Sequence, residues 1–279
     1  MSLFSTCKQA LSKALQWRFL LLWTLALALP TLIVSLPLFI QLNQLLGRSL
    51  AGASLLEGAD TGVLADAFGA LMTAGWSPAT GVGGLIVFAV MLPWLGGLLV
   101  AVTRAERPLP ISELASAGLR EYGRMLRLWI WAVVPLGVFG GIGSALMNWA
   151  DSHGETVILS ADADAAHYWA MAAVAVLLAF VSATLDAARA RFATEPYRRS
   201  AFFAWWAGFR DVLRHPRWWL IYVLLTAFGL VLAAVFAWVR IQVAPIGVWS
   251  FLLDLLLAQA IVVALAWSRA ARVVAFAKR

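Results

Sequence analysis

The chain has 279 residues, 63% of them hydrophobic and 13% charged, with a formal net charge of +7. That much apolar surface exceeds what one water-soluble core can hide, and a water-facing shell needs more charge, so a soluble globular domain is excluded. The positive excess does not mark a nucleic-acid binder either, because the basic residues sit between long apolar runs, the pattern of a chain held against an anionic membrane surface.

Taken in chain order, apolar runs predict membrane-spanning helices at about 18–41, 82–103, 128–149, 167–186, 217–240 and 247–268. A helix of about 20 apolar residues crosses the hydrocarbon layer, whereas barrel strands would be about half as long and would alternate. The first run, from Phe19 to about Ile40, is longer than a signal-peptide core and reads as a retained signal anchor. The fold class is therefore all-α, a polytopic membrane protein of six transmembrane helices forming a single membrane domain over 1–279.

Basic residues set the orientation. Of the 21 Lys and Arg, only Arg48 and Arg240 fall outside 1–18, 104–127, 186–217 and 269–279. The intervening loops are acidic, with Glu57, Asp60 and Asp66 in one and Asp151, Glu155, Asp162 and Asp164 in the other. Both termini are thus expected in the cytoplasm, the chain lying in a bacterial inner membrane. Trp residues cluster at both predicted interfaces, where an indole keeps its ring shielded and its N–H wet. Cys7 is the one cysteine, so no internal disulfide exists, and its basic neighbourhood falls on the reducing side.

Each basic stretch before a pair of spans has helical periodicity. In 111–126, Ile111, Leu114, Ala115, Gly118, Leu119, Tyr122, Met125 and Leu126 form one stripe. Segment 200–214 repeats this with Phe202, Trp206, Phe209 and Leu213, and the N-terminus does so more weakly with Phe4, Cys7, Leu11, Ala14 and Leu15. "GLREYGRMLRLW" from Gly118 and "GFRDVLRHPRWW" from Gly208 share Gly, Arg, an acid, two further Arg and Trp at the same spacings. The cytoplasmic exits end at Arg107, Arg189 and Arg272, spaced by 82 and 83 residues. Three hairpin repeats are expected, 1–107, 108–191 and 192–279, each opening with an amphipathic cytoplasmic interfacial helix; the alternative is that interfacial segments rich in Arg and Trp look alike without a repeat. Such helices lay apolar residues in the acyl boundary and point basic ones at lipid phosphates. The candidate lipid- or partner-binding residues are Arg120, Arg124 and Arg127 in one copy and Arg210, Arg214 and Arg217 in the other. "RHPRWW" reads as a corner, since Pro216 pushes His215 out of the helical region.

Within the spans, Asp254 is the acid placed well inside, with Gln259 five residues on, and Arg240 is its expected partner across a short turn. An intramembrane carboxylate is a functional-site candidate, although an ion pair closing the last hairpin is the plainer reading. Pro30, Pro37, Pro93 and Pro135 lie inside spans, and Gly96, Gly97, Gly137, Gly140, Gly141 and Gly143 are expected to let helices approach closely. In the first outer loop, Asp60 or Thr61 is expected to cap a helix carrying Val63, Leu64, Ala67, Phe68, Leu71 and Met72.

No phosphate-cradling Gly-Lys-Ser/Thr loop, nucleophile elbow, His-Glu-x-x-His or paired-cysteine motif occurs. His153 and His167 lack zinc-site spacing, so no catalytic residue, metal or cofactor is expected. The stretch Asp186–Leu225, "DAARARFATEPYRRSAFFAWWAGFRDVLRHPRWWLIYVLL", resembles poorly characterised bacterial multi-pass inner-membrane proteins and is similar to the membrane domains attached to some glycerophosphodiester phosphodiesterases. That resemblance implies a membrane fold and, with no catalytic domain in this chain, no activity. "ELASAG" (Glu113–Gly118) is near the docking loop of ABC permeases, but its spacing to Gly is one short and the downstream proline is displaced. The expected function is a non-enzymatic membrane subunit or scaffold whose partners are anionic phospholipids and a cytoplasmic or membrane protein, not nucleic acid. The alternatives are a transporter component with a path near Asp254, and a lipid-handling accessory protein.

Overall fold

Apolar runs this long satisfy their own N–H and C=O groups within the segment by forming helices, and every element among the described residues is a helix. The computed structural model describes residues 3–46, 69, 73, 79–157, 160–243 and 247–278. Among them run α1 (Leu3–Ala14), α2 (Trp17–Leu46), α3 (Ala79–Arg104), α4 (Ile111–Arg120), α5 (Tyr122–Thr156), α6 (Ser160–Thr194), α7 (Ala201–Arg214), α8 (Pro216–Ile241) and α9 (Val248–Ala277). Six of them, α2, α3, α5, α6, α8 and α9, are long and apolar enough to cross a membrane. The protein is an all-helical, multi-pass membrane protein. Arg48, Glu57, Asp60, Asp66 and the predicted capped helix of the first outer loop lie outside the described residues.

The helices outrun the apolar stretches that predict them. α5 and α6 each have 35 residues and carry their polar ends on as helix, because Ala-rich and Arg-rich sequence such as 186–194 keeps helical propensity after hydropathy has gone. The expected stripe 111–126 is divided: α4 stops at Arg120, Glu121 forms a turn, and Tyr122 opens α5. The corner at His215 forms as the proline requires, with His215 extended (φ −126°, ψ 92°) and Pro216 opening α8. Ser200 caps α7 by accepting the Phe203 N–H at 3.4 Å. Before α9, Gly247 holds φ at +92°, a backbone conformation only glycine adopts readily.

The chain divides into two compact units. One comprises Met1–Phe19, Pro93–Val231 and Leu265–Arg279; the other comprises Leu20–Leu92 and Leu232–Ala264. The first unit holds α1, α4 and α7 with the span ends they pack on. Its core joins Met125, Leu128 and Ala132 of α5 to Val181, Leu185, Ala188 and Phe192 of α6 and Ala201 and Ala204 of α7. Trp131 adds edge contacts to Phe202 and Trp205 at 5.1 and 5.7 Å. In the second unit the approach of α2 and α3 is close at Gly84, where a side chain would run into Val34.

Glycine behaves differently from expectation at three sites. Gly97 and Gly143 face neighbouring helices, and Gly96 meets Met125, but nothing lies within 4 Å of a side chain built on Gly137, Gly140 or Gly141. The GxxxG at 137 and 141 is therefore not a packing seam among the described residues. A small-residue spacing permits close approach, but which helix comes near is decided by the bundle.

Candidate functional site

In α1, α4 and α7 the buried residues are mostly not the large apolar ones that the periodicity picks out. Their small residues make the buried seam: Ala10 and Ala14 in α1, Gly118 beside Leu114 in α4, and Ala201, Ala204 and Gly208 in α7. Leu114 and Val212 are buried with them, whereas most of the larger apolar residues of these helices lie at the surface. Phe4, Leu119, Phe202, Phe203, Trp206 and Leu213 are all exposed, as a lipid-facing surface requires.

The docking recurs position by position. A Cβ at Gly118 would stand 2.8 Å from the Leu98 side chain and 3.0 Å from the Trp94 indole nitrogen, and one at Gly97 would strike the Gly118 carbonyl. A Cβ at Gly208 would stand 3.0 Å from Ala187 Cβ and 3.1 Å from the Thr184 carbonyl oxygen, with the Ala188 nitrogen also at 3.0 Å. Positions 184, 187 and 188 follow 94, 97 and 98 by ninety residues, the offset between the two glycines. In α1 the counterpart is Trp267 of α9, whose indole donates to the Leu11 carbonyl at 2.9 Å, as Trp94 of α3 donates to the Ala115 carbonyl at 3.1 Å.

The arginines divide into two groups. Arg120, Arg127, Arg210, Arg214 and Arg217 are exposed; Arg120 reaches Ser116 at 3.4 Å, Arg127 the Arg199 carbonyl at 3.2 Å and Arg217 Thr6 at 3.4 Å. Arg124 differs from the other candidates. It turns inward, pairs with Glu121 at 2.6 Å, donates to the Arg198 and Glu195 carbonyls and lies 4.6 Å over the Phe192 ring. Glu121 also binds Arg104 at 2.9 Å, and Asp211, ninety residues on, binds Arg191 at 2.6 Å, so each acid is tied to an arginine of the preceding span. The acid of the repeated line is structural, and it takes Arg124 with it.

Near the turn between α8 and α9, Arg240 and Asp254 form a two-point pair, Nε to Oδ1 at 2.6 Å and Nη2 to Oδ2 at 2.9 Å. Both side chains are well exposed, and Gln259 is half-buried on the same helix. Both carboxylate oxygens are thus engaged by one guanidinium.

The exits do not all correspond. Arg107 is exposed in the non-helical segment after α3, whereas Arg189 and Arg272 lie within α6 and α9 and converge on one carboxylate, Asp186. Asp186 is 2% exposed and lies inside α6, so it is the buried intraspan acid, a position the sequence reading leaves to Asp254. Hydropathy places it at the end of a span, because the run Asp186–Arg191 is polar by composition. Arg189 binds Oδ1, and Arg272 donates from Nε to Oδ2 at 2.9 Å. Arg272 also donates to Thr226 at 3.1 Å and sits 5.0 Å from the Tyr222 ring, linking α6, α8 and α9.

Beside this network lies a cavity of about 400 Å³. Asp186, Arg189, Arg269 and Arg272 line it, together with the hydroxyl residues Ser182, Tyr222, Thr226 and Ser268. Leu185, Leu230 and Leu265 complete the wall. Three guanidiniums against one carboxylate give the lining an excess of positive charge. The signal for this site in the sequence is the Asp/Arg exit of α6 and its rhyme at Arg269 and Arg272, which spacing alone marks as topology.

Cys7 is half-buried, and burial pushes its thiol pKa up, away from the thiolate form. His167 lies 3.6 Å from Asp151, and His153 stacks on Trp149. No family model matches the chain, and no curated protein and no solved structure shows a significant match to it.

Proposed function

We propose that the protein is a non-enzymatic membrane subunit or scaffold, built as three hairpin repeats, whose interfacial helices hold a basic face against the anionic cytoplasmic leaflet of a bacterial inner membrane. The observation that carries this reading is the recurrent docking of α1, α4 and α7 on span ends. Small-residue seams and an indole hydrogen bond, to a carbonyl for α1 and α4 and to the Thr184 hydroxyl for α7, fix the three helices to span ends. Fixed in that way, each helix offers large apolar residues to acyl chains while Arg120, Arg127, Arg210 and Arg214 remain exposed for phosphates or an acidic partner face. Each such cation near an anionic leaflet contributes on the order of 1 kcal/mol. The Arg240–Asp254 pair supports a scaffold over a path for cargo, because its acid is already neutralised at an exposed position.

Two measurements test the reading. Six crossings place both termini on one side, so membrane-impermeant labelling of cysteines added at either end should fail in intact cells and succeed after permeabilisation; labelling from outside overturns the orientation. Arg210→Glu with Arg214→Glu should release a protein that co-purifies with the wild type from native membranes, without changing the folded yield. A complement of co-purifying proteins identical to the wild type's overturns the role of this face.

A further inference from the structure

We propose that the cavity beside Asp186 is a binding site for a phosphate-type oxyanion, the headgroup of an anionic amphiphile being the source its shape favours. The site does not depend on the scaffold reading. Its chemistry starts from the guanidinium, which carries five N–H donors in a planar fork matched to phosphate oxygens. Arg189 gives one donor to Asp186, and Arg272 gives one each to Asp186 and Thr226, so both keep donors for an incoming group. Asp186 has each oxygen occupied by an arginine, which fixes the two forks in place and leaves the carboxylate a poor ligand for a cation. Arg269 brings a third positive charge to the same lining, and its partial burial strengthens its attraction for an anion.

The shape adds the ligand class. A volume of about 400 Å³ is in the range of small-molecule sites and exceeds what a bare phosphate needs. Leu230 and Leu265 line the cavity and are at the same time 56% and 43% exposed, so the cavity opens beside them. Each lies about one helical turn from the hydroxyl of its own helix, Thr226 on α8 and Ser268 on α9, on the side away from the basic end. A charged floor with an aliphatic mouth fits a molecule whose phosphate goes in and whose acyl chain leaves past the leucines.

The experiment uses the full chain. In one arm, purified protein in neutral detergent is titrated calorimetrically with inorganic phosphate. In the other, it is reconstituted in phosphatidylcholine nanodiscs with or without phosphatidic acid, and retained lipid is counted by native mass spectrometry. Arg269→Gln should weaken binding about tenfold or more, the size of one lost charge-assisted contact. Leu230→Trp, at an exposed position, should block the mouth without touching the ion network, and the thermal transition of each variant checks its fold. Retention of phosphatidic acid over phosphatidylcholine, lost in both variants, supports the site with a lipid source. Phosphate binding lost in Arg269→Gln, with no lipid preference, supports the site with a soluble source. Binding of neither probe, or binding equal in wild type and both folded variants, overturns it.

Discussion

Trp205 donates its indole N–H to Thr184 Oγ1 at 3.0 Å, the image, ninety residues on, of Trp94 donating to the Ala115 carbonyl, with the indole on the opposite partner. Position 115 corresponds to 205 and position 94 to 184, so one contact is made twice with donor and acceptor exchanged between helices. A buried hydroxyl that loses its donor costs about 1–3 kcal/mol. Trp205→Phe and Trp94→Phe should each lower the thermal transition in detergent. Thr184→Val with Trp205→Phe should cost less than the sum of the single changes, as a double-mutant cycle would measure.

Gly97 and Gly137 should respond oppositely to the same change. Helix propensity alone favours Ala over Gly by about 1 kcal/mol. At Gly137 nothing lies within 4 Å, so Gly137→Ala should stabilise. At Gly97 the new methyl meets the Gly118 backbone, which cannot rotate away, and overpacking of about 1–3 kcal/mol outweighs the propensity gain. Thermal unfolding of the two variants side by side decides the point.

Asp186 compensates two arginines on two helices. Asp186→Asn leaves Arg189 and Arg272 without their carboxylate, and breaking a buried pair costs about 3–5 kcal/mol. The variant should fold in lower yield and melt earlier, and adding Arg272→Gln should recover part of the loss.

The exposed Arg240–Asp254 pair contrasts with this. Asp254→Asn should leave folded yield and thermal transition close to wild type, because both partners remain in contact with their surroundings. A collapse in yield would show that the last hairpin depends on the pair.

Glu195 gives a pH dependence. Burial pushes its carboxyl pKa up, but hydrogen bonds from Arg198 and Arg191, with their charges, outweigh burial and hold it below the ordinary carboxylate range. A depressed folded pKa means that this stabilisation is complete above the unfolded pKa of about 4.3 and is lost as pH falls through the folded value. Glu195→Gln should flatten that acid limb of the stability curve and leave its slope near neutral pH unchanged.

Much of the fold was legible because hydropathy and helical period are local. The six spans, the corner at Pro216 and the Arg240–Asp254 pair follow from residues close in sequence or facing across a short turn. The register of Gly118 and Gly208 was also legible, and it carries over to the helices they meet. What was not legible is which face of each amphipathic helix docks. Phe202, Trp206 and Leu213 dominate the hydropathy of α7, yet Ala201, Ala204 and Gly208 form its seam, because in lipid close approach favours small residues and large apolar ones lose nothing by staying outside.

The candidate cavity was hidden for a related reason. Arg189 and Arg272 were visible only as exits, and Asp186 only as the end of an apolar run. The membrane class of the chain and its six candidate crossings could be read from composition and from spacing along single helices. Packing between helices selects which cations meet an acid, which turn to carbonyls and which line a cavity. Those choices depend on distances between helices far apart in sequence, where a few ångströms separate an ion pair from an exposed charge.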